Sequence, residues 1–231
     1  MLKDPPAYAG RRVGVLLAAG LGTRFATCDA AKRTPEAIAS KLLAPLPSSA
    51  GADRAGQAIA VVAARSMVAA LGSVVAVVRA SKDERTKAGP ALDVFLREAG
   101  CHIISIAGHE ADRGMGATLA SGIRASKDAA GWIVALADMP YVRVETILAI
   151  DRALALGAHT VAPCYAGERG HPVGFDSSCR GELLTLDGDI GARAVLARLA
   201  PVRIEVDDPG VLADIDTPYD LARGPEPRKA P

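Results

Sequence analysis

Hydrophobic positions along the chain fall into two alternating kinds of run. One kind is short and continuous: RVGVLLAA from Arg12, SVVAVVRA from Ser73, CHIISIA from Cys101, GWIVALADMP from Gly131, HTVAPCY from His159 and PVRIEV from Pro201. Continuous apolar runs with little polar alternation predict strands buried on both faces. The fourth is expected to end in Asp138. The other kind is longer and rich in Ala and Leu, and predicts helices over 55–71, 90–100, 115–126, 144–156, 192–199 and 218–223. Pro90 opens one of these and Gly100 closes it, the proline-first, glycine-last order of a helix. The stretch 166–189 is rich in Gly, Asp and Ser; it predicts a hairpin and a short helix. Asp207 and Asp208 read as a solvated turn.

Strand and helix alternate, which predicts an α/β fold with a mostly parallel twisted sheet, helices on both faces and an embellished C-terminal third. An eightfold barrel is the rival. It needs more clean repeats than the chain offers, and the irregular stretch after Tyr165 breaks the rhythm. There is no internal repeat and no linker. The expected organisation is a flexible N-terminus over 1–10, one domain over 11–223 and a disordered tail over 224–231.

Composition narrows the function classes. The chain has 231 residues, half of them hydrophobic, which is enough for a substantial core. Only 3% are aromatic, so that core must be built from Ala, Val, Leu and Ile. Twenty-seven basic residues against 26 acidic ones leave no basic face for bulk nucleic-acid binding. Cysteines at 28, 101, 164 and 179 have neither metal-type spacing nor a disulfide pattern, and read as free thiols. MLKDPPAYAGRR lacks an apolar signal core, and no apolar run approaches the ~20 residues that span a bilayer. The expected location is cytoplasmic, with no membrane partner.

Candidate chemistry sits where ligands bind in open parallel sheets, beyond the carboxyl ends of strands. The loop AAGLGTRF follows the first strand directly. Its small residues let backbone N–H groups approach phosphate, and Arg24 adds a fork of donors. An ordinary glycine turn is the plain reading of the same residues. Asp138, in ADMP, is placed to hold Mg²⁺ against a phosphate, or else to cap the next helix. Lys41 is a third element, a point charge able to fold over phosphates.

Seven motifs occur in order: LAAGLGTRF, KLLAPL, ADRGMGATLASGI, ALADMP, ERGHPVGF, LDGDIGAR and DIDTPYDL. Together, from about Val13 to Leu221, the chain resembles the molybdenum cofactor cytidylyltransferase family, within the MobA-like nucleotidyltransferases. The resemblance implies a Rossmann-like nucleotidyltransferase fold. It implies transfer of CMP from CTP to molybdopterin carrying molybdenum, with pyrophosphate released, and Mg²⁺ as cofactor with Mn²⁺ as the alternative ion. It places Leu17, Ala18, Ala19, Gly20, Gly22 and Thr23 along the nucleotide, with Arg24 and Lys41 on the triphosphate. Arg113, Gly114, Gly116 and Thr118 belong to a base-side loop. Asp138 binds the metal with Asp216, for which Asp214 or Asp189 are substitutes. Arg169, Gly170, His171 and Pro172 face the pterin, although His171 also reads as a satisfied loop histidine. A monomer that docks transiently on a molybdenum hydroxylase is implied as well. The Ala19 of LAAG, where guanylyltransferase relatives typically read LAGG, implies a pyrimidine nucleotide.

The chain departs from the family pattern between arginine and lysine, where TCDAAKRTPEAIAS intervenes. Thr34 and Pro35 resemble a helix start. Lys32 and Arg33 compete with Lys41 for the phosphate role, and KLLAP favours Lys41. A guanylyltransferase is one rival reading. Another is a cytidylyltransferase with a different phosphorylated acceptor, which ERGHPVGF and DIDTP disfavour. A Rossmann oxidoreductase needs a third glycine where Phe25 stands, and an acidic strand-end residue about 20 positions on. Glu36 is the nearest, and it sits in the insert. A non-catalytic nucleotide-binding module is the last rival.

Overall fold

In the computed structural model, which describes residues 8–20, 25, 41–80, 89–188 and 193–224, the apolar runs align as one sheet. Its strands are β1 (Arg12–Ala18), β2 (Val74–Arg79), β3 (His102–Ile106), β4 (Gly131–Leu136), β5 (Thr160–Tyr165), β6 (Glu168–Arg169), β7 (Val173–Asp176) and β8 (Val202–Glu205). The order is β3-β2-β1-β4-β7-β5-β6, with β8 paired to β5. The β1–β2, β1–β4, β2–β3 and β5–β8 pairs are parallel. The antiparallel strand β7 separates β4 from β5, and β6 folds back on β5. The mostly parallel sheet and the embellished C-terminal third are thus both present. The latter contains the expected hairpin (β5–β6) and a short helix.

The helices are α1 (Ile59–Leu71), α2 (Gly89–Glu98), α3 (Gly108–Ala111), α4 (Met115–Ala125), α5 (Val144–Ala155), α6 (Arg180–Leu184), α7 (Arg193–Leu199) and α8 (Pro218–Arg223). They cover both faces because successive strand residues point to opposite sides. Leu16, Val74, Ala76 and Ile133 pack with Met67 of α1, Leu96 of α2 and Ile150 of α5. Val13, Val15, Val75, Val77 and Val134 pack on the other side with Ile123 of α4, Leu183 of α6 and Leu196 of α7. A strand apolar at every position therefore feeds two cores, which explains the unbroken runs. Among the described residues no helix is long and apolar enough to cross a membrane.

Some sequence expectations shift. α1 starts at Ile59 rather than residue 55, because Ala58 is extended and bridges Pro45. The N-terminal segment expected to be flexible over 1–10 is packed at its end: Tyr8 is 6% exposed and Ala9 bridges Ala129. Gly224 is buried, and 225–231 and 1–7 lie outside the described residues. Cys101, Cys164 and Cys179 are free and buried, while Cys28 lies outside. Burial pushes the Cys101 thiol up to about 12 and the Cys179 thiol up to about 11, so neither is a nucleophile near neutral pH.

The expected solvated turn at Asp207–Asp208 is a correction of more consequence. Asp208 is only 2% exposed. Its carboxylate accepts from the Arg143 amide (2.9 Å), the Thr146 hydroxyl (2.7 Å) and the Gly210 amide (3.0 Å). Arg143 is the N-cap of α5 and has no side-chain cap of its own. Asp208 caps that helix from more than sixty residues away and places negative charge at its positive end. Asp208→Ala should lower stability by about 3 kcal/mol, since two buried donors and one part-buried amide lose their acceptor. Urea unfolding measures it, and a loss below ~0.5 kcal/mol would show the carboxylate to be dispensable.

Candidate active site

Parallel pairing sets Leu17 of β1 beside Leu136 of β4, so both chains leave the sheet together. Just beyond, the Ala137 amide donates to the Leu17 carbonyl (3.1 Å). This bond lays Ala18 and Ala19 alongside the turn that carries Asp138. β4 stops at Leu136, so Asp138 stands two residues past the strand rather than at its end. It does not cap α5, whose N-cap is Arg143. Its backbone carbonyl accepts from the Ile215 amide (3.0 Å), which brings the DIDTP segment to the same edge. There Thr217 and Asp220 form a capping box on α8, and the Asp220 carboxylate also accepts from the Asp216 amide (3.1 Å).

Lys41 arrives from a third region. It opens a 3₁₀ turn, Lys41–Leu43, anchored by buried Leu42. The chain after it is fastened to the start of α1: Ile59 N–H donates to Ala44 (3.1 Å) and Leu46 N–H to Gln57 (2.9 Å). The Lys41 ammonium donates to Asp138 Oδ2 (2.7 Å) and Asp216 Oδ1 (3.1 Å). Its side chain is only 9% exposed. Burial pulls its pKa down, but the two carboxylates outweigh that and hold it above the ordinary lysine value.

These groups fit a divalent cation. Asp138 Oδ2 and Asp216 Oδ1 already converge on one positive charge, and Asp138 Oδ1 is buried without a partner among the described residues. No cluster of three or more His, Cys, Asp or Glu able to hold a metal exists among the described residues. A cation here would therefore complete its shell with substrate oxygens, as Mg²⁺ does at phosphate sites. Asp214 lines the same cleft. Asp189 lies outside the described residues.

The cleft has a volume of about 540 Å³ and holds Leu17, Asp138, Asp216, Arg169, Gly170 and His171 in its walls. The ERGHP segment is clamped. Gly170 N–H donates to Pro163 (2.9 Å) and His171 N–H to Val211 (2.9 Å). A Cβ on Gly170 would lie 2.3 Å from the Val211 carbonyl oxygen, so only glycine fits. Pro172 is buried and not part of the cleft wall. The His171 Nδ1 is buried without a partner among the described residues. Burial, with help from Arg169 and Arg193 and against Asp138, pushes its pKa down to about 4.

The proposed base-side loop is organised differently from its sequence reading. Exposed Arg113 makes a two-pronged ion pair with Asp187 (3.1 and 2.8 Å). Gly116 presses on the LDGD segment: its amide donates to Gly188 (2.8 Å), and an added Cβ would meet the Asp187 carbonyl oxygen at 2.7 Å. Thr118 is buried and its hydroxyl donates to the Gly114 carbonyl (3.2 Å). Two motifs read separately in sequence are one packed unit. Ala18 and Ala19 are buried and Gly20 is exposed. Gly22, Thr23, Arg24 and the insert with Lys32, Arg33, Thr34, Pro35 and Glu36 lie outside the described residues.

Two arginines escaped the sequence reading. Arg79, buried at the end of β2, donates to the Ala19 carbonyl (3.3 Å), the Gly108 carbonyl (3.0 Å) and Asp112 (2.9 Å). It ties the start of the glycine loop to α3. The available signal was a lone cation ending an otherwise apolar strand. Arg193, in GDIGAR, lines the cleft.

The His171 ring gives stability a defined pH dependence. The native ring stays neutral down to about pH 4, whereas the unfolded ring takes a proton near 6.5. The unfolded state thus binds more protons in that window, so this contribution is complete above pH 6.5 and is lost as pH falls toward 4. His171→Gln should lose about 2–3 kcal/mol less stability than wild type between pH 7 and 4.5, by urea unfolding at each pH. Parallel pH profiles for the two proteins would show the ring to be solvated.

Comparison with known proteins places this arrangement. A family model for the MobA-like NTP transferase domain matches residues 14–202. A search of curated proteins gave no match. A crystal structure of Rv0371c from Mycobacterium tuberculosis is 24% identical with a TM-score of 0.67, covering 93% of this chain and 97% of its own. The same protein crystallised with manganese gives 0.60 at 24% identity, over 92% and 97%. Molybdopterin-guanine dinucleotide biosynthesis protein A of Archaeoglobus fulgidus is 16% identical with a TM-score of 0.55, over 91% and 95%. The 4-diphosphocytidyl-2C-methyl-D-erythritol synthase of Anaerococcus prevotii is 12% identical with a TM-score of 0.61, over 93% and 94%. At such identities the likeness is one of fold.

Proposed function

The chain belongs to the MobA-like NTP transferase family, and on that premise we propose that it transfers CMP from CTP to molybdopterin carrying molybdenum, releasing pyrophosphate. The observation that carries this reading is the meeting of Lys41, Asp138 and Asp216 at the edge of one cleft beyond β1 and β4. A nucleotidyl transfer needs such an edge, because its difficulty is the alignment and charge of anionic partners.

Asp138 and Asp216, with Asp214 nearby, are the residues that would hold Mg²⁺, or Mn²⁺ as in the mycobacterial structure of this fold. When bound, the ion neutralises triphosphate charge and polarises the α-phosphate. The Lys41 ammonium lies within reach to exchange a carboxylate oxygen for a phosphate oxygen. Leu17 to Gly20 offer the nucleotide a wall, and Arg24 is assigned to the triphosphate by family resemblance. An oxygen of the acceptor's phosphate forms the new bond to the α-phosphorus as the bond to the leaving pyrophosphate breaks. The acceptor phosphate is already anionic near neutral pH, so the step calls for no serine, cysteine or histidine base. His171 is unsuited to that duty, with its Nδ1 buried and its ring uncharged. Arg169, Gly170 and His171 form the acceptor wall.

The acceptor class is supported by the fold shared with the Archaeoglobus protein. The choice of CTP rests on Ala19, whose carbonyl is held by Arg79 at the start of the loop. A pyrophosphate-release assay with Mg²⁺, molybdenum-loaded molybdopterin and each of CTP, GTP, ATP and UTP tests both parts. Release is expected with CTP. Release with GTP alone would overturn the base assignment, and release with none would overturn the transferase reading. Asp138→Ala should reduce kcat/KM by about 10²–10³-fold, whereas a pure nucleotide-binding module would lose no turnover.

A further inference from the structure

The cleft wall carries charge of both signs. Asp138, Asp214 and Asp216 line it together with Arg169 and Arg193. Neither Arg169 nor Arg193 has a hydrogen-bond or ion-pair partner among the described residues. Other guanidiniums around the site are engaged: Arg79 with Asp112, and Arg113 with Asp187. Both unpartnered cations act on the His171 ring, as Asp138 does, so all three lie near it.

Both also stand on fixed supports. Arg169 lies in β6, paired with Cys164 of β5, and the residue after it is pinned against Val211. Arg193 begins α7, whose Val195 and Leu196 are buried, and Leu196 itself lines the cleft. Two flexible arms on rigid bases, both without a counter-charge, suit an anion with several oxygens. Arginine is the residue whose planar fork matches a phosphate. A second anion is needed in this cleft besides the triphosphate, and it cannot rest beside the aspartates.

Resting on the nucleotidyl-transfer reading, we propose that Arg193 joins Arg169 in holding the acceptor's phosphomonoester, so that Arg193 is a substrate-binding residue of the acceptor side. Each guanidinium takes phosphate oxygens and one oxygen is left facing the nucleotide. No bond to either arginine forms or breaks, and the pair acts by position and charge alone. A side chain on the LDGDIGAR segment thereby distinguishes a phosphorylated acceptor from a bare one.

The test separates this from the reading it rests on. Binding of free molybdopterin and of its dephosphorylated form is followed by pterin fluorescence, which needs no turnover. Arg193→Ala should weaken binding of the phosphorylated form about 10–100-fold and leave the dephosphorylated form within about twofold. Arg193→Lys should recover part of the loss, and it guards against a folding defect of the alanine variant. In the pyrophosphate assay the KM for acceptor rises and the KM for CTP stays unchanged. Equal loss for both pterins, or a raised KM for CTP with an unaltered acceptor, would overturn the proposal. Absence of pyrophosphate release in wild type would sink the transferase reading while the two binding curves still report on Arg193.

Discussion

An ammonium group nearly sealed from water must have counter-charge, and the site is organised by how Lys41 obtains it. Desolvating that charge costs several kcal/mol, which only close carboxylates offset. Asp138 and Asp216 supply them, from positions 97 and 175 residues away in sequence. Each partner is held by backbone bonds that belong to the fold: Ala137 to Leu17, Ile215 to Asp138, Ile59 to Ala44. The ion pairs therefore report on the register of the sheet edge. A slip of β1 against β4 would carry Asp138 away and leave a buried cation unpaired.

Around this centre charges of both signs line one cleft. Asp138, Asp214 and Asp216 share its wall with the guanidiniums of Arg169 and Arg193 and with a neutral histidine. Arg79 works underneath, fixing the Ala19 carbonyl and so the direction in which the glycine loop leaves β1. A bulk net charge of +1 conveys none of this.

Much of the frame was legible in sequence because it rests on local rules. Strands buried on both faces carry unbroken apolar runs, and β1, β2 and β4 do, with Arg12 and Arg79 only at strand ends. Helix α2 announced itself through Pro90 and Gly100. Asp138, Asp216 and Lys41 were legible as members of ordered motifs, yet their mutual contact was not. Features that depend on distant partners escaped. Asp208 looks like any turn aspartate until α5 is laid over it. The ion pair of Arg113 with Asp187 joins two motifs that are distant in sequence. Ala55–Ala58 has helical composition, but its backbone is spent on the segment after Lys41. The stretch from Ala26 to Ser40, longest in departure from the family pattern, lies outside the described residues, and its part in the site rests on sequence.

Asp216 stands in a turn that α8 caps and that docks on the Asp138 carbonyl. The glycine loop, the lysine and the first aspartate are all synthesised long before it. Without Asp216, Lys41 would have the Asp138 carboxylate alone, and the cleft would lack the wall contributed by 211–216. Completion of the site thus waits for the DIDTP segment. A product cut before residue 209 keeps the parallel strands β1, β2, β3 and β4 and loses Asp216 and the cleft wall that goes with it.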